Sequence, residues 1–173
     1  MEDIFIKLLE ESDEKELFNF EIENRAFFER IGFGRGDSYY DTNNFKDIIK
    51  SLVEEQQKGL LYMYLVMNKD NRIIGRVNLT SIVKDIFNKA ELGYRMAEKH
   101  QGKGYATFAV SKVLEEATNK HKLHRIEAGT SPNNIGSQIV LIKNGFQLVG
   151  RYNKYIHKHG EWHDSIVFDK VLE

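Results

Sequence analysis

Apolar and polar positions repeat along this chain with two periods, near 3.6 and near 2. The places where one gives way to the other mark out its elements. Residues 4–9, IFIKLL, predict a first strand. Ser12 or Asp13 can cap a following helix, in which Leu17, Phe18 and Ile22 share a face. A further helical stretch around NRAFFERI ends at Gly32. Gly32 to Asn44, GFGRGDSYYDTNN, is rich in glycine and polar residues and reads as a loop carrying Tyr39 and Tyr40. Thr42 or Asn43 can cap the next helix, with Phe45, Ile48, Ile49, Leu52 and Val53 on one face and Gly59 placed to end it.

The period then shortens. LLYMYLVMN, a KDNR turn and IIGRVNLTSIV predict a hairpin, and KAELGYRMA predicts a third consecutive strand. GKGYATFAVSKVLEEATNKH returns to helical spacing, with Ala106, Val110, Val113, Leu114 and Ala117 inward. LHRIEAGTS is a strand, and NIGSQIVLIKNGF is a short helix closed by Gly145. FQLVGRYNKYI and EWHDSIVFDKVL pair across HKHG as a long hairpin. Phe5, Phe108 and Phe168 read as core. The order β-α-α-α-β-β-β-α-β-α-β-β predicts an α/β (α+β) fold: a mixed, mostly antiparallel sheet flanked by helices, with one βαβ crossover at its centre. No linker composition divides it, so residues 1–173 read as one domain.

Composition narrows the function. Apolar residues are 41% and charged residues 29%, enough for a core and a solvated surface. A net charge of −1 lacks the basic excess of a duplex-binding domain. No apolar run approaches the ~20 residues of a membrane span. The acidic start, MEDIFIKLLEESDEKE, does not read as a signal peptide, so the cytoplasm is the expectation. With no cysteine, neither a thiol nucleophile nor a cysteine zinc site is available.

The stretch HQGKGYAT, His100 to Thr107, carries the first chemistry. A P-loop needs G-x-x-x-x-G-K-[ST] and a dinucleotide fingerprint needs G-x-G-x-x-G; from Gly102 the chain reads G-K-G-Y-A-T and satisfies neither. What is left is a strand, two glycines and a helix N-terminus. That arrangement aims free backbone N–H groups at an anion, with the helix dipole behind them. An ordinary β-to-α turn would look the same.

Read from Gln101, the stretch is Q-x-x-G-x-A. Downstream, SPNNIGSQIVLIKNGF supplies Asn134, Ser137, Lys143, Gly145 and Phe146 in an N-x-x-S...K-x-G-F pattern. Together they resemble the two signatures of the GNAT superfamily of acyl-CoA-dependent N-acetyltransferases. The resemblance covers the whole chain, most specifically Ala90 to Asp169. It looks nearest to the branch that acetylates ribosomal-protein N-termini, where GYWL is common in place of this GYRM and a late H-D, here His163 and Asp164, precedes the last strand.

The resemblance implies that the anion is the pyrophosphate of acetyl-CoA, held by backbone N–H groups of Gln101, Gly102, Lys103, Gly104, Tyr105, Ala106 and Thr107. Lys103 would be at most an auxiliary charge. Tyr94, Arg95 and Met96 would bind the cofactor, with Met96 giving backbone hydrogen bonds to the pantetheine arm; Arg95, where a tryptophan is common, would alter the acceptor side. Asn134 would contact the arm, Ser137 the thiol or its departing proton, and Lys143 the cofactor. Asn134 has a second reading as a plain helix cap. Glu91 stands where many members carry a catalytic carboxylate; as a strand glutamate it also reads as solvent-facing.

The usual tyrosine acid position is Leu141 here, and Ser137 then takes its place. His157 and His159 have a strand H-x-H spacing that suits a metal. The family needs none, and a polar hairpin tip accounts for them and for His163, so no metal is expected. The expected acceptor is a primary amine: a protein N-terminus, or alternatively a polyamine, amino acid or antibiotic. A CoA-binding module without turnover is the other alternative. Neither nucleic acid nor membrane is expected as a partner, and the chain reads as a monomer or homodimer.

Overall fold

The computed structural model describes residues 4–158 and 160–173. The strands are β1 (Ile4–Leu8), β2 (Tyr62–Asn68), β3 (Ile73–Val83), β4 (Lys89–Met96), β5 (Arg125–Thr130), β6 (Gln147–Lys158) and β7 (Glu161–Val171). The helices are α1 (Glu14–Glu23), α2 (Arg25–Arg30), α3 (Thr42–Gln57), α4 (Tyr105–Asn119) and α5 (Ile135–Lys143). The expected order of elements is therefore the observed one. A single seven-stranded sheet runs β1-β2-β3-β4-β5-β7-β6, antiparallel at every junction except β4–β5.

Side-chain alternation sends opposite sets of residues to the two faces of the sheet. Val66, Val77, Leu79, Leu92 and Ile126 pack with Val110 and Val113 of α4 and Leu141 of α5. Leu65, Met63 and Met67 face the other way, onto Leu17 and Phe20 of α1, Phe28 of α2 and Phe45 and Ile49 of α3. Gln56, buried near the end of α3, donates to the Leu9 carbonyl and accepts from Met63 N–H, both at 2.9 Å. It thereby ties α3 to the β1–β2 end and leaves no amide group wasted there.

Three details differ from the sequence expectation. Asp41, not Thr42 or Asn43, caps α3, its carboxylate accepting from Asn44 N–H at 2.9 Å. Two of the acids before α1 form a reciprocal box, Glu10 with Asp13, around a 3₁₀ turn over Glu11–Asp13. Phe5 is 44% exposed and is not core: it lies on an edge strand, opposite the face through which Ile4 joins the α4 cluster. Phe168 is buried and Phe108 packs at the rim of that cluster, as expected. No helix among the described residues is long and apolar enough to cross a membrane.

A polar cluster joins the end of α4 to β2. The His121 ring stacks on Tyr62 with centroids 3.4 Å apart. Its Nε2 lies 2.6 Å from the Tyr64 hydroxyl, which donates to Glu116 at 3.2 Å. Burial pushes His121 down to about 4 and holds it neutral. An unfolded histidine titrates near 6.5 and takes up a proton that the folded one refuses. Stability from this group is therefore intact above about pH 6.5 and is lost as pH falls toward 4. On lowering pH from 7.5 to 5, His121→Gln is expected to lose about 2 kcal/mol less stability than the parent, read from urea melts at the two pH values.

Candidate active site

The site begins where the sheet opens. β4 and β5 pair only over Lys89↔Arg125, Ala90↔Ile126 and Glu91↔Glu127. Beyond that, β4 keeps to β3 as far as Gly75↔Met96, and β5 keeps to β7 as far as Thr130↔Ile166. The inner edges of Leu92–Met96 and Ala128–Thr130 do not pair with each other, and their backbone groups border a cleft of about 870 Å³. An extended chain bearing amides can satisfy such edges as an added strand would.

The cradle lies at one end of this cleft. Gly102 and Gly104 have φ of +69° and +78°, a left-handed conformation that suits glycine. Gly104 caps α4 without a side chain, and the first helical bond runs from Phe108 N–H to the Gly104 carbonyl. The N–H groups of Tyr105, Ala106 and Thr107 thus have no intrahelical acceptor. Those of Gly102, Lys103 and Gly104 have no protein acceptor either among the described residues. Gln101 departs from the expectation. Its N–H is bound to the Glu98 carbonyl at 3.1 Å, so the cradle starts at Gly102. Its side-chain amide donates to the Met96 carbonyl at 2.9 Å, pinning the loop to the end of β4 and occupying a group expected to face the cofactor arm. Lys103 and Lys143 are exposed and both line the cleft. His100 lines it too, with Nδ1 buried and without a partner; burial and the neighbouring Lys103 and Lys99 lower its pKa.

The other wall is the start of α5. Asn134 caps it, its Oδ1 accepting from Ser137 N–H at 3.1 Å, so the helix-cap reading holds. Its side-chain amino group makes no hydrogen bond to the described residues and borders the cleft. Across the gap, Tyr94 of β4 reaches over and donates its hydroxyl to Ser137 Oγ at 2.9 Å. Burial raises the Tyr94 pKa, so the phenol stays protonated at neutral pH. Leu141 is 1% exposed and packs in the core. The Tyr94 hydroxyl thus meets the helix that carries leucine at position 141, a contact between residues 43 apart that spacing does not reveal.

The remaining candidates divide by face. Glu91 is exposed and is absent from the cleft wall, although it shares its face of β4 with Gly93 and Arg95, which do line it. Arg95 turns its guanidinium away from the cradle, to Glu21 of α1 at 3.2 Å and over the Phe28 ring at 4.6 Å. Tyr39 and Tyr40 pack rather than line the cleft: Tyr39 lies edge-on to Phe45, and Arg25 sits 4.2 Å over Tyr40. Phe27, Ile31, Phe33 and Ile156 form the apolar mouth on this side, which no sequence motif marked. Asp164 lines it too but serves β6. It accepts from Arg151 and from Lys154 N–H at 2.7 Å, holding Lys154 at φ +49° in an irregular stretch of the β6–β7 pairing. His163 borders the cleft and His157 stacks near Trp162; His159 lies outside the described residues.

The acetyltransferase (GNAT) domain family matches residues 3–147. The probable N-acetyltransferase YjcK of Bacillus subtilis (strain 168) is 37% identical over 165 residues, covering 95% of this chain and 91% of that protein. Among solved structures, the ribosomal-protein-S5-alanine acetyltransferase of Vibrio fischeri superposes with a TM-score of 0.92 at 28% identity, over all of this chain and 95% of the other. Mycobacterium smegmatis RimJ, solved in complex with CoA-disulfide, superposes with a TM-score of 0.87 at 21% identity, over 97% of this chain and 81% of that one. With its opened sheet, its glycine-capped α4 and these matches, the chain belongs to the GNAT family of N-acetyltransferases.

Proposed function

We propose that this chain transfers an acetyl group from acetyl-CoA to the N-terminal α-amine of a protein. The observation that carries the reading is the free N–H run of Gly102 to Thr107 at one end of an opened sheet, with the Tyr94–Ser137 pair beside it. The donor set fits the cofactor. A pyrophosphate takes backbone N–H groups at a helix N-terminus, the amide-bearing arm takes the unpaired edges of β4 and β5, and Asn134 has an amino group to spare for one of its carbonyls. Bound acetyl-CoA would supply the activated acyl group and a sulfur leaving group.

In the transfer a C–N bond forms while the thioester C–S bond breaks. The amine loses a proton and the sulfur gains one or a hydrogen bond in its place. An α-amine, with a pKa near 7.7–8.0, is partly neutral at physiological pH and needs little from a base. Glu91, at the last position of β4 that pairs with β5, is assigned only the acceptance of that proton through solvent. Ser137 is the donor to the leaving sulfur. Because Tyr94 donates to Ser137 Oγ, the serine's own hydrogen is left to point into the cleft. Tyr94 thereby acts as a positioning residue. The apolar mouth formed by Phe27, Ile31 and Phe33 suits a peptide end better than a multiply charged polyamine.

Ser137→Ala is expected to lower kcat about 10- to 100-fold and Tyr94→Phe about tenfold, with the CoA dissociation constant unchanged. If the tyrosine works through the serine, the double variant will be no slower than Ser137→Ala alone. Thiol release from acetyl-CoA with N-terminally free peptides measures both. Additive losses would mean that Tyr94 contacts the leaving group itself, and no release above hydrolysis with any amine would overturn the reading. Glu91→Gln should cost less than about tenfold. At the cradle, Gly104→Ala places a Cβ in a left-handed backbone and beside the phosphates. CoA should bind about tenfold more weakly to it by calorimetry, while ATP and NAD bind neither form.

A further inference from the structure

The acceptor side of the cleft holds a charge that acetyl transfer does not require. Glu21 of α1 is 0% exposed, and two guanidiniums divide its carboxylate: Arg76 Nε donates to Oε1 at 2.8 Å and Arg95 Nη1 to Oε2 at 3.2 Å. Arg76 and Arg95 are direct partners across the β3–β4 register. One buried carboxylate therefore answers two buried guanidiniums, and the cluster keeps one positive charge. Arg35 and the Tyr39 hydroxyl also face it, and neither brings a carboxylate.

Arg95 is the member that meets the cleft. Its side chain is 10% exposed and the residue lines the wall beside Gly93, whereas Arg76 does not line it. Of its nitrogens only Nη1 has an acceptor, so the donors on Nε and Nη2 are free. Neither donor is among the buried atoms left without a partner, so both are open to solvent, and an acceptor placed there would complete the guanidinium. No wall residue is available to do so: among the described residues Asp164 is the one carboxylate that lines the cleft, and Arg151 and Lys154 hold it. At Gly93 an added Cβ would meet nothing within 4 Å, so the way from Arg95 to the gap in the sheet is open. Burial and Arg76 bring Arg95 down to about 10, which leaves it cationic at neutral pH.

We propose that Arg95 binds a carboxylate of the acceptor, so that preferred acceptors are amines with a carboxylate one or two residues from the reacting nitrogen. Arg95 stands two residues along β4 from Gly93, roughly 7 Å at the rise of a strand, which an acidic side chain at the first or second position of a peptide spans. The inference rests on the acetyl-transfer reading for what the amine does, and on the charge cluster alone for what binds.

The test is calorimetry on the CoA-loaded protein with two N-terminally free peptides, identical except for aspartate or asparagine at the second position. The aspartyl peptide should bind at least about tenfold more tightly, as expected for a charge-assisted bond. The preference should vanish in Arg95→Met and persist in part in Arg95→Lys, each checked for a cooperative melt. Free aspartate and free asparagine, titrated in parallel, tell whether the peptide backbone contributes to the aspartate preference. Equal affinities in the parent protein, or a preference that survives Arg95→Met, overturn it. The parent comparison stands even where a variant fails to fold. Absence of thiol release alongside an intact aspartate preference would overturn acetyl transfer and leave the carboxylate site standing.

Discussion

The parting of β4 from β5 is the constraint on which the rest of the molecule depends. Each strand is held on its outer side by an antiparallel partner, β3 for one and β7 for the other. Their mutual pairing stops after Glu91↔Glu127. A closed sheet would consume every backbone group along that line. The open one leaves an edge on both sides within a single sheet, in a cleft where an extended, amide-rich ligand can complete the pairing. The crossover helix α4 begins at the head of the gap, and α5 begins on its far wall. The cradle and the Tyr94–Ser137 bridge both take their positions from the same opening.

The two faces of β4 then divide the labour. Residues directed to the α4 face, Leu92, Tyr94 and Met96, belong to the large core or to the bridge with α5. Residues directed to the α1–α3 face, Gly93 and Arg95, supply room and charge. Residues from both faces of one strand thus line the cleft, as alternation along a strand permits. The backbone between them is shared and is held by pairing with β3 through Gly75↔Met96.

Much of this was legible in the chain. The strands from Tyr62 to Met96 show because a continuous apolar run at β2 is followed by alternation through β4, and Gly59, Gly102 and Gly104 fall where the backbone needs positive φ. Local chemistry was readable to within a residue: the cap of α3 is Asp41 because its carboxylate, one position earlier than expected, lies in reach of Asn44 N–H. Phe5 was misjudged because hydrophobicity reports a preference for burial, while an edge strand is not covered on both faces. The run of free N–H groups starts at Gly102 and not at Gln101, since the Gln101 N–H is taken up by the turn from Glu98.

By itself the sequence determined the order of elements, the central crossover and the glycine loop, all of which follow from periodicity and from backbone conformations favoured by single residues. It also carried the family signatures that name the chemistry. Only the tertiary structure decided that the Tyr94 hydroxyl of β4 reaches Ser137 of α5, that Tyr39 and Tyr40 pack against Phe45 and Arg25, and that Arg95 shares Glu21 with Arg76. The hydrogen-bonded and ion-paired partners among these lie 43, 55 and 74 residues apart in the chain. A hydrogen bond or an ion pair depends on distance in space, and only the folded sheet brings such residues within 3 Å or so of one another.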